Sequence, residues 1–317
     1  MPVTEADLRA GLTDALGAPV RTVARRPFAY CSSHPIEDLD VVDSAGRRLR
    51  VLFKDLSGTS PRAGETGDVK PAFVRDPLRE IAAYGSVLGP GRVDAPRCYG
   101  SHVDARSGRA WLFLEALDGE LLWQAGDLAA WQAAARWLAD LHGRDLPTAG
   151  TPLLRYDEVW FRGWLKRAQA HTPPGALDRI AGGYERVVQR LAGWPSTFVH
   201  GEFYASNVLV QREEERIRIR PLDWEMAGRG PGLLDVGALT AGRWTREERR
   251  RLALVYFDAG PAAVRARGRE DFLDALEHCR LHLALQWLGW SGDWTPPAQH
   301  AHDWLSDAHQ TAQELGL

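Results

Sequence analysis

Cysteine is scarce in this chain: Cys31, Cys98 and Cys279 are the only three in 317 residues, far apart and with no CxxC pair. That excludes a disulfide framework and offers no zinc-site spacing. No apolar run approaches the ~18 residues of a membrane span, and the opening MPVTEADLRA is polar where a secretory signal would be basic and then apolar. A cytoplasmic location is the expectation. An excess of either charge is also missing, since 39 basic and 42 acidic residues nearly cancel. Nothing in that balance calls for nucleic acid or an anionic membrane as partner. Lysine is the rare base, with only Lys54, Lys70 and Lys166 among many arginines, and no internal repeat is present.

A chain of this length with 44% hydrophobic residues can bury the cores of two lobes. The first third reads as strands: VRTVARRPF, IEDLDVV and RRLRVLFKDL show partial alternation and are separated by the turn-like PFAYCSSHP and DSAGRR. Residues 56–72, crowded with Gly, Pro, Ser and Thr, read as a surface loop. Asp76 and Pro77 make an N-cap and first-turn pair for a helix carrying Ile81, Tyr84 and Leu88. PRCYGSHVD and RAWLFLEAL, joined by ARSG, read as a hairpin. From Asp127 the period turns helical, with further helical patterns near 157–171, 177–192, 245–258 and 271–290, interrupted by the short strands TFVH, NVLV and IRIRPLDW. Strands first and helices later predict an α+β chain of two lobes, 1–117 and 118–317.

The stretch HGEFYASNVLV, residues 200–210, sets a carboxylate, Glu202, and an amide, Asn207, five positions apart just before a strand. A second carboxylate, Asp223 of PLDWE, closes the strand pattern after it. One Asn and one Asp beside a nucleotide suit a hard cation such as Mg²⁺, which takes oxygen ligands and keeps positions for phosphate. Glu202 is then left for an acceptor. Lys54 stands at the end of an apolar strand in a chain that otherwise uses arginine, which suggests that a compact ammonium is required there.

In HGEFYASN and DWE the sequence resembles the aminoglycoside phosphotransferase and choline kinase-like group, relatives of the protein kinases, whose signature is HGDxxxxN followed by a strand and DxE or DWE. The resemblance runs over roughly residues 20–290. It implies a bilobal protein-kinase-like fold, with a small antiparallel β-sheet and one helix in the N-lobe and a mainly helical C-lobe. It implies that Lys54, oriented by Glu80, holds the α- and β-phosphates of ATP, or of GTP, and that Asn207 and Asp223 bind Mg²⁺. Backbone groups of Glu115 and Leu117 would meet adenine, and His200 and Asp235 would brace the catalytic loop without touching substrate. YCSSHP lacks the GxGxxG of protein kinases; either it is a plain turn, or its amides and the hydroxyls of Ser32 and Ser33 cap phosphates.

One departure stands out: the group has Asp where this chain has Glu202. An extra methylene moves a carboxylate by about an ångström, enough to matter for a positioned base. The backbone could compensate, the acceptor could shift to match, or catalysis could be lost with nucleotide binding kept. Phosphoryl transfer depends chiefly on positioning and charge neutralisation, so an active kinase is the expectation, and the resemblance implies that its acceptor is a small-molecule hydroxyl, of a sugar, an aminosugar or an amino alcohol. The alternatives are a kinase of Ser or Thr in a peptide during natural-product maturation and a non-catalytic nucleotide-binding partner of another protein. His278 and His282, at i and i+4, read as core or pocket wall rather than metal ligands. From Asp271 on, seven acids face one base, Arg280, which would favour a cationic acceptor, with Glu277 and its neighbour His278 the first candidates to reach the cleft.

Overall fold

The computed structural model describes residues 3–28, 34–57, 71–214, 216–290 and 302–317. The N-terminal lobe is built on one antiparallel sheet in the order β1-β2-β3-β5-β4, from β1 (Val20–Pro27), β2 (Ile36–Asp43), β3 (Arg48–Asp55), β4 (Cys98–Asp104) and β5 (Arg109–Glu115). The two-residue period of β3 sets the lobe's chemistry. Val51 and Phe53 turn outward into a small core with Trp111, Phe113, Leu8 and Leu12, while Leu52 and Lys54 turn to the opposite face.

That outer core is covered by helix α1 (Glu5–Leu16), which the sequence pattern above does not predict. Thr4 caps it, accepting from the Asp7 N–H, and Leu8, Gly11 and Leu12 form its buried stripe. On the inner face lies α2 (Pro77–Ala82), begun by Asp76 accepting from the Leu78 N–H as the Asp-Pro pair predicts. The helix does not run regularly to Leu88. It widens into a π turn over Ala83–Leu88, which brings Ala83, Tyr84, Val87 and Leu88 into the core together.

The chain leaves this sheet at Glu115 and next pairs as β6 (Glu120–Leu121) with β9 (Val208–Glu213), which in turn pairs with β10 (Arg216–Pro221). Gly119 makes that passage possible, because a Cβ there would lie 2.7 Å from the Val210 carbonyl. A second small sheet joins β7 (Leu154–Arg155), β11 (Gly228–Pro231) and β8 (Ser196–Val199) in the order β7-β11-β8. Around these strands pack α3 (Leu128–Gly143), α4 (Glu158–His171), α5 (Asp178–Ala192), α6 (Leu233–Leu239), α7 (Arg246–Ala259), α8 (Arg269–Trp290) and α9 (Trp304–Glu314). Helix α8 is the axis, in contact with α4, α5, α6, α7 and α9 and buried on most sides. The result is the α+β, protein-kinase-like arrangement expected from the sequence.

Candidate active site

Strand β3 delivers Lys54 to the inner face, where its Nζ lies 2.7 Å from Glu80 Oε2 on α2 and 2.6 Å from Asp223 Oδ1. Lys54 is 5% exposed and Glu80 1%, so this is a buried contact between the lobes. Burial alone would pull the ammonium's pKa down; Asp223 and Glu80 outweigh it and push it above the usual lysine range. Asp223 reaches Lys54 from a left-handed backbone, φ 61° and ψ 69°, between β10 and a single 3₁₀ turn at Trp224–Met226. A non-glycine residue held there stores of order 1 kcal/mol, and such strain clusters at functional sites.

The loop from β8 to β9 carries the next two groups. His200 is fully buried, and its tautomer follows from its partners: Nε2 is 2.8 Å from the Leu222 carbonyl and must donate, while Nδ1 accepts from the Glu202 N–H at 3.3 Å. Burial lowers its pKa, only partly offset by Asp235, so the ring is neutral. Asn207 donates from Nδ2 to the Glu202 carbonyl at 3.0 Å, which leaves Oδ1, the one side-chain atom able to ligate a cation, turned the other way. The Leu222 N–H donates to the Asn207 carbonyl at 2.8 Å, so Asn207 sits against the residue preceding Asp223. An amide oxygen and a carboxylate are hard donors of the kind Mg²⁺ takes, and they suit a soft transition metal poorly.

Asp235, from α6, holds the loop from behind. It accepts from the N–H of His200 at 2.7 Å and of Gly201 at 2.8 Å, and its Oδ2 lies 3.1 Å from Nε2 of His142. His142, at the end of α3, lies 2.9 Å through Nδ1 from the Tyr256 hydroxyl. It was missed by the sequence reading; a histidine in the buried stripe of an amphipathic helix, beside Leu138 and Leu141, was the available signal. Tyr156 closes the other side. Its hydroxyl donates to the Met226 carbonyl at 2.6 Å, and burial keeps it protonated. Gly201, at φ +86°, has no room for a side chain: a Cβ would lie 2.2 Å from the Tyr156 hydroxyl.

Arg79 is a second residue that the pattern did not reveal. Adjacent to Glu80 and 4% exposed, it donates to the carbonyls of Val74 at 2.7 Å, Glu225 at 2.9 Å and Pro152 at 3.2 Å, tying α2 to the Asp223 loop.

At the passage between the lobes the Glu115 N–H already donates to the Arg97 carbonyl, and its carboxylate binds Arg220 at 2.7 Å. The same carboxylate accepts from the Arg97 N–H at 3.0 Å. Ser32 and Ser33 lie outside the described residues.

The acid-rich C-terminal segment is largely neutralised by arginines. Asp271 and Asp274 bind Arg190, Glu277 binds Arg280 at 2.6 Å, and Asp307 reaches Arg280 at 3.3 Å. His278 is buried, with Nδ1 2.8 Å from the Asp274 carbonyl, and His282 is a core residue whose Nδ1 lies 2.8 Å from the Tyr184 hydroxyl. Glu277 is thus paired with Arg280, and His278 is bonded within its own helix.

The sequence profile described as the phosphotransferase enzyme family matches residues 23–273. This chain belongs to that family. Its members move phosphoryl groups to hydroxyls, and the chain is a phosphotransferase with an alcohol group as acceptor. No curated protein matches it. Among solved structures it is similar to a microcompartment-associated aminopropanol kinase, at 16% identity and a TM-score of 0.59 over 92% of this chain and 90% of that one. It is similar to an ethanolamine kinase of Plasmodium vivax, at 12% identity and 0.56 over 93% and 82%. An ADP-bound aminoglycoside phosphotransferase, APH(2'')-Ib, matches at 12% and 0.56 over 98% and 97%. At such identities the likeness is one of fold. No helix among the described residues is long and apolar enough to cross a membrane.

Proposed function

We propose that this phosphotransferase moves the γ-phosphoryl group of ATP, or of GTP, to a hydroxyl of a small molecule of the sugar, aminosugar or amino alcohol kind, in the cytoplasm where the nucleotide is kept. The observation that carries the reading is the convergence of Lys54, Glu80 and Asp223 beside a loop presenting Asn207 and Glu202. Lys54, held by Glu80, binds the α- and β-phosphates. Asn207 Oδ1 and the Asp223 carboxylate hold Mg²⁺, which when bound neutralises charge on the β- and γ-phosphates. Glu202 orients the acceptor hydroxyl and takes its proton as that oxygen bonds to the γ-phosphorus; the bond to the β–γ bridging oxygen breaks, ADP leaves, and Glu202 returns the proton to water. Names among the structural relatives, aminopropanol kinase, ethanolamine kinase and aminoglycoside phosphotransferase, support a small hydroxyl acceptor.

Calorimetry with ATP and a magnesium titration test the nucleotide and metal assignments. Asp223→Ala is expected to abolish the magnesium dependence of ATP binding. Glu202→Gln is expected to keep ATP affinity while lowering turnover by roughly 10²-fold, the usual loss for a positioned base. ATP binding indifferent to Mg²⁺, or equal rates for Glu202→Gln and wild type, would overturn these roles.

A further inference from the structure

A cavity of about 60 Å³ opens beside the catalytic loop among α6, α7, α8 and α9. Tyr204 forms its wall toward the loop: it follows Glu202 by two residues, its N–H donates to the Glu202 carbonyl at 2.7 Å, and its hydroxyl accepts from Trp287 Nε1 at 2.9 Å. Trp287 and Trp304 form a stacked apolar wall, with ring centroids 5.4 Å apart and planes within 7°. Among the described residues the charged lining is Arg249, Arg280 and Asp307.

These charges are unequally matched. Arg280 has two carboxylates, Glu277 and Asp307, and the latter also lies 3.4 Å from His302 Nε2. Arg249 forms no ion pair among the described residues. Its one hydrogen bond is a long one, 3.4 Å from Nη2 to the Trp244 carbonyl, and its Nε is buried without a partner. Burial and the neighbouring Arg280 hold the Arg249 guanidinium below its usual range, offset only in part by Glu277, Asp307 and Glu314. A guanidinium with open donors, against an apolar wall, is a receptor for a planar or tetrahedral oxyanion. Size agrees: a water needs ~10–15 Å³ of such space, so this cavity takes a substituent of a few heavy atoms and not a sugar ring.

Resting on the phosphotransferase reading above, we infer that this cavity is the specificity pocket for the acceptor and that it takes an oxyanion substituent on Arg249. The acceptor is thus a small hydroxyl compound bearing a carboxylate or phosphate, its anionic end in the pocket and its hydroxyl reaching past Tyr204 to Glu202. The acid-rich composition of the C-terminal segment points to a cationic acceptor; Glu277 and Asp307 are instead engaged by Arg280, and Arg249 is the charged lining residue with no ion pair among the described residues.

The test uses matched compounds: glycerate and glycerol 3-phosphate against glycerol, and serine against ethanolamine. Binding is measured by calorimetry in the presence of ADP, and kcat/KM with ATP. The carboxylate- or phosphate-bearing member of each set is expected to be preferred by roughly 10- to 100-fold, the contribution of a charge-assisted bond to a sheltered guanidinium. Glycerate against glycerol 3-phosphate tells which oxyanion fits. Arg249→Gln is expected to erase the preference through KM, and Arg249→Lys to keep part of it, which separates a binding role from mere loss of packing. No preference for the carboxylate- or phosphate-bearing members, a preference for ethanolamine, or a preference that survives in Arg249→Gln overturns the inference. Failure of the wild-type protein to bind ATP would instead strike the phosphotransferase reading itself.

Discussion

Removing the ammonium of Lys54 should be far worse for stability than removing the carboxylate that faces it. At 2.6–2.7 Å each of its two pairs is worth ~6 kcal/mol of gross attraction at an effective dielectric of about 20, set against several kcal/mol of desolvation per ion. Lys54→Met leaves Glu80, 1% exposed, as a buried carboxylate without its cation; Asp223, whose side chain is 30% exposed, can turn to water. The expected cost is roughly 3–5 kcal/mol. Glu80→Gln leaves Lys54 paired with Asp223 and should cost about 1–2 kcal/mol. The double variant Lys54→Met/Glu80→Met replaces the buried pair by apolar groups and should recover ~2 kcal/mol over Lys54→Met alone. Its turnover should stay lost. Urea unfolding at constant slope reads these differences. Because the folded-state pKa of Lys54 is raised, its contribution is complete below the unfolded value of about 10.4 and is lost only as pH climbs through the folded one, so the deficits should not vary between about pH 7 and 9. Equal losses in the two single variants, or a double variant worse than Lys54→Met, would refute the reasoning.

Asp235→Asn puts one oxygen and one amide nitrogen where two backbone N–H groups and His142 need acceptors; a loss of about 3 kcal/mol in unfolding free energy and ~10²-fold in turnover is expected, and wild-type values for both would remove Asp235 from its bracing role. Gly201→Ala should abolish turnover, since its Cβ would meet the Tyr156 hydroxyl and the Met226 carbonyl, and Tyr156→Phe should restore part of it in a steady-state assay.

Legibility followed the length of the repeating pattern. β3, β5, α3 and α8 carry enough apolar periodicity to be read directly, and the order of Lys54, Glu80 and Asp223 along the chain anticipated that these side chains meet. Strand β11 could not be read that way, because Gly228-Arg229-Gly230-Pro231 has the composition of a loop and is a strand only through its pairing with β7 and β8. Arg79 and His142 were hidden for another reason. Each serves by donating to carbonyls or facing a carboxylate far away in sequence, and no local spacing encodes such partners. Charge counts are incomplete for the same reason: the acids after Asp271 are visible in the chain, but the arginines that pair with Asp271 and Asp274, Arg190 and Arg267, lie outside that segment.

How Glu202 substitutes for the shorter residue usual in its group follows from the anchoring of its backbone. Its N–H donates to His200 Nδ1, and its carbonyl accepts from both the Tyr204 N–H and Asn207 Nδ2. Behind these, Asp235 holds the N–H groups of His200 and Gly201. A loop fixed at both faces of one residue cannot draw back to absorb an extra methylene, so the carboxylate must stand further out, by about an ångström. On the base role proposed above for Glu202, the acceptor hydroxyl is placed further out to meet it. Shortening the side chain should therefore harm the enzyme although it restores the group's usual residue. Glu202→Asp is expected to lower turnover by about 10-fold or more with ATP affinity kept, since the base no longer reaches a hydroxyl positioned for glutamate. Steady-state rates with the preferred acceptor decide it: an aspartate variant as fast as wild type, or faster, would mean that the loop yields and that the acceptor sits where a shorter base can reach it.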